Sequence, residues 1–474
     1  MAFYVMSDLG KNTVNFQFLN HPRRRALAAA LAIAFATTEP SAIAHVGQHD
    51  FMSLATPRPS GNAPIVVQNC DDSGPGSLRD AYFNAVDGDT IDLTQLTCST
   101  ITLTSGALTN SPSATQVMLE GPGKYALTIH GNHNGRVLVH NGSGQLELIG
   151  LTIAGGSYSG GSYGGGCIYS YGSVLLELAA VTDCSLSSSG TNKAYGGAIY
   201  ARDSVLLGLS NVTASTAHAQ SANSAGGGVW AKEIQTAGST ISGNTVSGDG
   251  SHYSRGGGLF ALGDVTIKYS TISDNEAETG AGVFLLGAAE YTMEIQDCTI
   301  TGNRASGAAG GVYSKYRPLQ IANSTITSNT SGFPFGAGLY LASNTELEST
   351  IVANNTSGDG LNLTDIAGVS TITLSGANNL IMASTLPTPS DTITLDPMLG
   401  PLQNNGGYTL TQAPLPGSPV IDAGNNVIDI CCDQRLETAE SVLFERSVGL
   451  GPDIGAFETG APDRIFTDGF DNEI

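Results

Sequence analysis

Apolar and polar residues alternate with period two in short runs such as Val265-Thr266-Ile267-Lys268-Tyr269 and Met293-Glu294-Ile295-Gln296-Asp297, the signature of strands with one buried face. Each run leads into a β-branched phrase closed by a turn residue, as in Ser239-Thr240-Ile241-Ser242-Gly243-Asn244 and Cys298-Thr299-Ile300-Thr301-Gly302-Asn303. A third phrase, small residues followed by an aliphatic and an aromatic, returns seven times from Gly165-Gly166-Cys167-Ile168-Tyr169 to Gly336-Ala337-Gly338-Leu339-Tyr340. Its aromatics, Tyr169, Tyr200, Trp230, Phe260, Phe284, Tyr313 and Tyr340, are spaced by 31, 30, 30, 24, 29 and 27 residues. One unit thus holds about three short strands and nothing of helical length. Helical repeats need two apolar faces of period 3.6, and leucine-rich repeats need regularly placed Leu. The pattern predicts stacked coils of β-strands, each strand pairing with its counterpart one coil on.

Composition agrees with that picture. Glycine supplies 61 of 474 residues and charged side chains only 13%, because each coil needs turns that glycine and asparagine tolerate best. The closing asparagines Asn244, Asn275, Asn303, Asn329 and Asn354 are expected to stack as a hydrogen-bonded ladder. The aromatic column leaves two readings open: a stack filling the interior of the coils, or a strip on the outside able to stack sugars. The aromatics follow an apolar residue directly, which puts them on the face opposite Ile168, Val229 and Leu259.

Arg23-Arg24-Arg25, the apolar run from Ala26 to Ala36 and the small-x-small Ala42-Ile43-Ala44 read as an export signal, and no segment reaches transmembrane length. The formal net charge of −22 argues against nucleic acid, and acidic polysaccharides would need a bridging cation such as Ca²⁺. Seven cysteines in an exported chain allow disulfides. Cys70 and Cys98 form the natural pair, Cys184 and Cys298 read as buried thiols standing in for Ser239 or Ser270, and the adjacent Cys431 and Cys432 lack the partners of a metal site.

Gly76-Ser77-Leu78-Arg79-Asp80-Ala81 predicts a short amphipathic helix over the open end of the stack. Together with Leu119-Glu120-Gly121-Pro122-Gly123 and Leu127-Thr128-Ile129-His130-Gly131, this stretch resembles the N-terminal segment of bacterial surface β-helix proteins with the CSLREA motif; Gly76 stands where that motif has Cys. Asp396-Pro397-Met398-Leu399-Gly400-Pro401-Leu402, Pro416-Gly417-Ser418-Pro419-Val420-Ile421-Asp422, Asp433-Gln434-Arg435 and Asp453-Ile454-Gly455-Ala456-Phe457-Glu458 resemble the choice-of-anchor Q region. Arg464-Ile465-Phe466-Thr467-Asp468-Gly469-Phe470-Asp471 is similar to a terminal motif of secreted proteins from some Gram-negative bacteria. These resemblances imply an all-β, right-handed parallel β-helix, exported and either extracellular or held at the outer cell surface, and no particular reaction.

The expected organisation is a signal peptide at 1–44, a linker at 45–69, an N-terminal cap and first coils at 70–126, repeats at 127–385, an anchor-associated block at 386–458 and a tail at 459–474. No residue set reads as catalytic, cofactor-binding or metal-ligating. Asp433, Arg435, Asp422 and Asp453 read as an ion-pair and turn network locking the C-terminal block. The densest acid-base cluster is Asp274, Glu276 and Glu278 beside Arg255 and Lys268, with a solvated turn as its plain explanation. The expected function is a monomeric, non-enzymatic rod for adhesion or glycan contact. The alternative is a polysaccharide lyase or glycoside hydrolase, which should break the repeats locally and gather acids and a base at the break.

Overall fold

The structure is a computed structural model that describes residues 62–160, 164–249, 252–287, 293–358, 362–425, 433–435 and 446–460. The expected export signal, Cys431, Cys432 and the terminal motif from Arg464 lie outside these residues. Among the described residues the strands form long sheets of twelve, eleven, ten and nine strands, in which each strand pairs with the equivalent strand of the next coil. The pairing is parallel, as in Val205 with Ile234 and Val212 with Ile241, apart from Thr356–Ser357, which meets Asn362–Leu363 antiparallel. The result is a β-solenoid of about ten turns.

One coil runs through Ile199–Ala201, Ser204–Gly208, Asn211–Thr213 and Thr216–Ala219. Alternation turns Ile199, Val205, Leu207 and Val212 into a single core that runs the length of the stack. The fourth strand exceeds the expected three. It alternates small residues, packing Leu186, Ala217, Ala219 and Val246 in a separate thin core, and such residues carry little hydrophobic signal. At the N-terminal end the helix Leu78–Asn84 (α1) is capped by Ser77 Oγ, which accepts from the amide of Asp80 at 3.2 Å, and it buries Leu78, Ala81 and Tyr82 in the main core. Cys70 and Cys98 are disulfide-bonded there.

Two buried ladders hold the corners. In the first, Nδ2 of Asn244 donates to Oδ1 of Asn275 (3.0 Å), and the link repeats to Asn303, Asn329 and Asn355 at 2.9 Å each. Asn355, not the expected Asn354, is the fifth member: Asn354 is exposed with φ 58°, in the left-handed turn position that Gly243 and Gly302 hold in other coils. Nδ2 of Asn355 then donates to Asp365 Oδ1 at 2.8 Å, and burial raises the Asp365 carboxyl to about 6. The second ladder is of hydroxyls, the amide of Ser210 donating to Ser239 Oγ and that of Ser239 to Ser270 Oγ. Cys298 occupies this column as a buried free thiol. Cys184 does not. Its amide donates to Ser215 Oγ in the asparagine column, and it is disulfide-bonded to Cys167. The position of Cys167 corresponds to Gly228, where an added Cβ would lie 3.1 Å from Asn244 Nδ2, so the two columns face each other closely enough for the bridge.

Residues 396–425, 433–435 and 446–460 fold back over the outer face of the eleven-stranded sheet. Thr271, Thr299, Thr325 and Ile351 are buried there, whereas Thr152, Asn211 and Thr240, at the same positions in earlier coils, are only partly covered. No helix among the described residues is long and apolar enough to cross a membrane.

Candidate functional site

The coils have two cross-sections. Up to Arg255 the fourth strand runs outward, turns, and in three coils returns as Ala194–Tyr195, Ser224–Ala225 and Ser254–Arg255, making a fin along the solenoid. From Glu276 on, the fourth strands shrink to Glu276–Ala277, Arg304–Ala305 and Thr330–Ser331, and the return strand disappears. This loss accounts for the 24-residue step between Phe260 and Phe284. The repeats are therefore broken where the sequence looked nearly continuous.

A groove of about 430 Å³ lies at the step, with Thr245, Ser247, His252 and Ser254 on the fin side and Glu276, Glu278, Arg304, Ser306 and Phe333 on the short coils. Glu276 and Glu278 share one face of the chain because Ala277 between them points inward. Glu278 Oε2 accepts from the Ser254 amide at 3.1 Å, tying the short coil to the end of the fin. Glu276 is exposed, one rung from the exposed Arg304.

Of the five residues in the expected acid-base cluster, Glu276 and Glu278 line this groove. Asp274 does not; it sits exposed in a left-handed turn (φ 55°) ahead of Asn275. Lys268 is buried against Glu294 at 3.1 Å, and the Arg255 guanidinium lies 4.1 Å from the Tyr253 ring and 5.0 Å from Phe284. His252, Arg304 and Phe333 escaped the sequence reading. Arg304 was within reach: it follows Asn303 as Glu276 follows Asn275.

The aromatic column stands on the outer face of the ten-stranded sheet, in register from Tyr169 to Tyr340, with Ile168, Val229 and Leu259 in the core behind it. Successive rings stack, with centroids 4.7 Å apart between Tyr200 and Trp230 and 6.4 Å between Trp230 and Phe260. The middle is covered. Tyr195 of the fin stacks on Trp230 at 5.4 Å, and Phe260 and Phe284 are 6% and 1% exposed, so neither can present a ring face to a sugar. Beyond the fin, Tyr313 and Tyr340 are half-buried, and burial raises the Tyr313 hydroxyl above its ordinary range, keeping it a proton donor. The run continues from Tyr340 to Phe335 (6.5 Å, edge-on) and on to Phe333 (6.2 Å), which are 49% and 56% exposed. Phe333 is itself a wall of the groove, so aromatic run and groove form one surface.

Residues 127–357 match the right handed beta helix region family. No curated protein matches the chain. A solved structure, that of pectate lyase Pel9A, is similar at 14% identity and a TM-score of 0.38, covering 81% of this chain and 90% of that one.

On this β-helix the C-terminal polar cluster lies away from the groove; Asp433, Arg435 and Asp453 are buried and Asp422 is exposed. Arg435 Nε donates to Asp433 Oδ2 at 2.7 Å, the Phe457 ring lies 3.9 Å from the guanidinium, and Asp433 and Arg435 are 0% and 2% exposed. Asp453 Oδ1 accepts from the Asp422 amide, and Asp422 Oδ1 accepts from Leu450 and Gly451. Glu458 accepts from the amides of Val448 and Asp453 at 2.8 Å each, yet burial lifts its carboxyl to about 8. A second ion pair, Arg446 with Asp297 at 3.4 Å, joins this block to the β-helix beneath.

Proposed function

We propose that this β-helix is an exported rod that holds a polysaccharide along the short coils and does not cleave it. The observation that carries the reading is the run of half-buried Tyr313 and Tyr340 and exposed Phe335 and Phe333, ending in a groove with carboxylate, guanidinium and imidazole groups. Aromatic faces cover the C–H faces of sugar rings, and a few polar groups at the edge fix orientation through hydroxyls. With a net charge of −22 and two glutamates in the groove, neutral chains are favoured over polyanions unless a cation bridges them. Export is part of the same proposal and rests on the N-terminal pattern of the sequence; a place at the outer cell surface, or release from it, rests on the resemblance of the two ends of the chain to surface β-helix proteins.

Cleavage is the second reading. What favours it is the gathering of Glu276, Glu278, Arg304 and His252 at the break in the repeats. One experiment separates the two: the full chain is incubated with neutral and acidic polysaccharides, with and without Ca²⁺, and the polymers are sized by chromatography. Intact polymer eluting with the protein is the expected result. Shortened polymer would replace binding with catalysis at the groove, and free intact polymer throughout would sink both readings.

A further inference from the structure

Far from the groove, at the turn after Thr128–His130, three donors from coils two apart converge across a glycine. The His130 ring lies over Gly155, where an added Cβ would come within 2.4 Å of Cε1 and Nε2; the imidazole fills the space a side chain would take. His133 follows in a left-handed turn (φ 52°), its amide donating to Gly155 O at 2.8 Å, and its ring meets that of His130 edge-on at 5.6 Å. Asp183, also left-handed (φ 53°), reaches up from the coil below, with Oδ2 3.6 Å from His133 Nε2. One ligand atom from each of the three lies within 4.8 Å of the others.

We propose that His130, His133 and Asp183 bind a divalent cation of the zinc class, with a fourth position open to water. Two imidazoles and one carboxylate suit zinc better than calcium, which prefers an all-oxygen shell. A tetrahedral ion with bonds of about 2.1 Å holds its ligands about 3.4 Å apart, so small side-chain rotations close the site. The Asn132 amide donates to His130 Nδ1 at 3.0 Å, and the ion displaces this bond at either nitrogen: directly at Nδ1, or at Nε2 because the ring proton then moves to Nδ1. The bound ion fastens one coil to the next but one.

The test is Zn²⁺ binding to the tag-free full chain by equilibrium dialysis, with Cu²⁺ as a spectroscopic stand-in. The expected result is one tight Zn²⁺ per chain, weakened at least about tenfold by His133→Ala and less by Asp183→Asn. Cu²⁺ electron paramagnetic resonance should show two coupled nitrogens in the parent and one in His133→Ala. Both variants change exposed side chains, and unaltered metal-free melting curves establish that they fold. Absence of binding, or an affinity and nitrogen count that His133→Ala leaves unchanged, would overturn the proposal; the latter would place the ion elsewhere.

Discussion

The eleven-stranded face and the ten-stranded face are built from the same coils and end up opposite in character. On the first, outward threonines are buried beneath the chain's own C-terminal block: Thr299 Oγ1 donates to Gln434 Oε1 at 2.5 Å, Gln434 Nε2 donates to Thr271 Oγ1 at 2.9 Å, and the Ala456 amide donates to Thr325 Oγ1 at 3.1 Å. On the second, aromatics take the outward positions, and once the fin ends nothing among the described residues covers Phe333 and Phe335. Hydroxyls suit a face that must be satisfied by another part of the chain, because each one fixes a partner's position. Bare rings suit a face left for a ligand. The β-helix thus separates a face covered by its own chain from one left open, the face to which the proposed function assigns ligand contact.

Breaking the covered face should cost most. Asp433→Ala leaves the buried Arg435 without its carboxylate and is expected to lower stability by about 3–5 kcal/mol in chemical denaturation, with polysaccharide retention unchanged while the protein stays folded. An unaltered denaturation midpoint would mean that the block is not held by this pair. Glu458 gives the same face a pH dependence. Its folded-state carboxyl, raised to about 8 from an ordinary 4.5, favours the protonated form, so its contribution is full below pH 4.5 and is lost as pH rises through 8. Denaturation at pH 5 and pH 9 should differ by a few kcal/mol more in the parent than in Glu458→Gln.

Paired substitutions sharpen the contrast. Thr299→Val should cost about 1–2 kcal/mol by stranding Gln434 Oε1, whereas Thr240→Val, on the part of the same sheet that the block does not reach, should stay within about 0.5 kcal/mol. Equal effects would show that the covering block adds nothing at that site. On the open face, Phe333→Ala with Phe335→Ala should leave stability within about 0.5 kcal/mol and weaken polysaccharide retention about tenfold. Retention that survives both substitutions would remove the aromatic run from the binding surface.

These faces were unequally legible in the sequence. Period-two alternation and the recurring asparagines exposed the coils, and the position of each aromatic after an aliphatic residue allowed an outer column while leaving an interior stack open; the structure puts the column outside the core. Covering was another matter: Phe260 is buried by a fin of Ala and Ser residues that alternate without hydrophobic contrast. The 24-residue step was visible, but only the three-dimensional register shows that it removes the fin and brings Glu278 to Ser254. Cys167 with Cys184 is a link of the same kind, since it depends on which columns face each other. The C-terminal block carries no period because its bonds go to threonine hydroxyls and turn amides instead of a strand ladder.

The asparagine ladder makes the two edges of a coil unlike. Every Nδ2 from Asn244 onward donates one N–H to the coil that follows and the other to a carbonyl of the coil before, so the C-terminal, leading edge of each coil carries a buried donor that only its successor satisfies. Its leading edge is therefore always a template for the next coil. Asp365 ends the series as a terminator: an ionised carboxylate accepts from Asn355 and has no proton to hand on, so the ladder stops growing there.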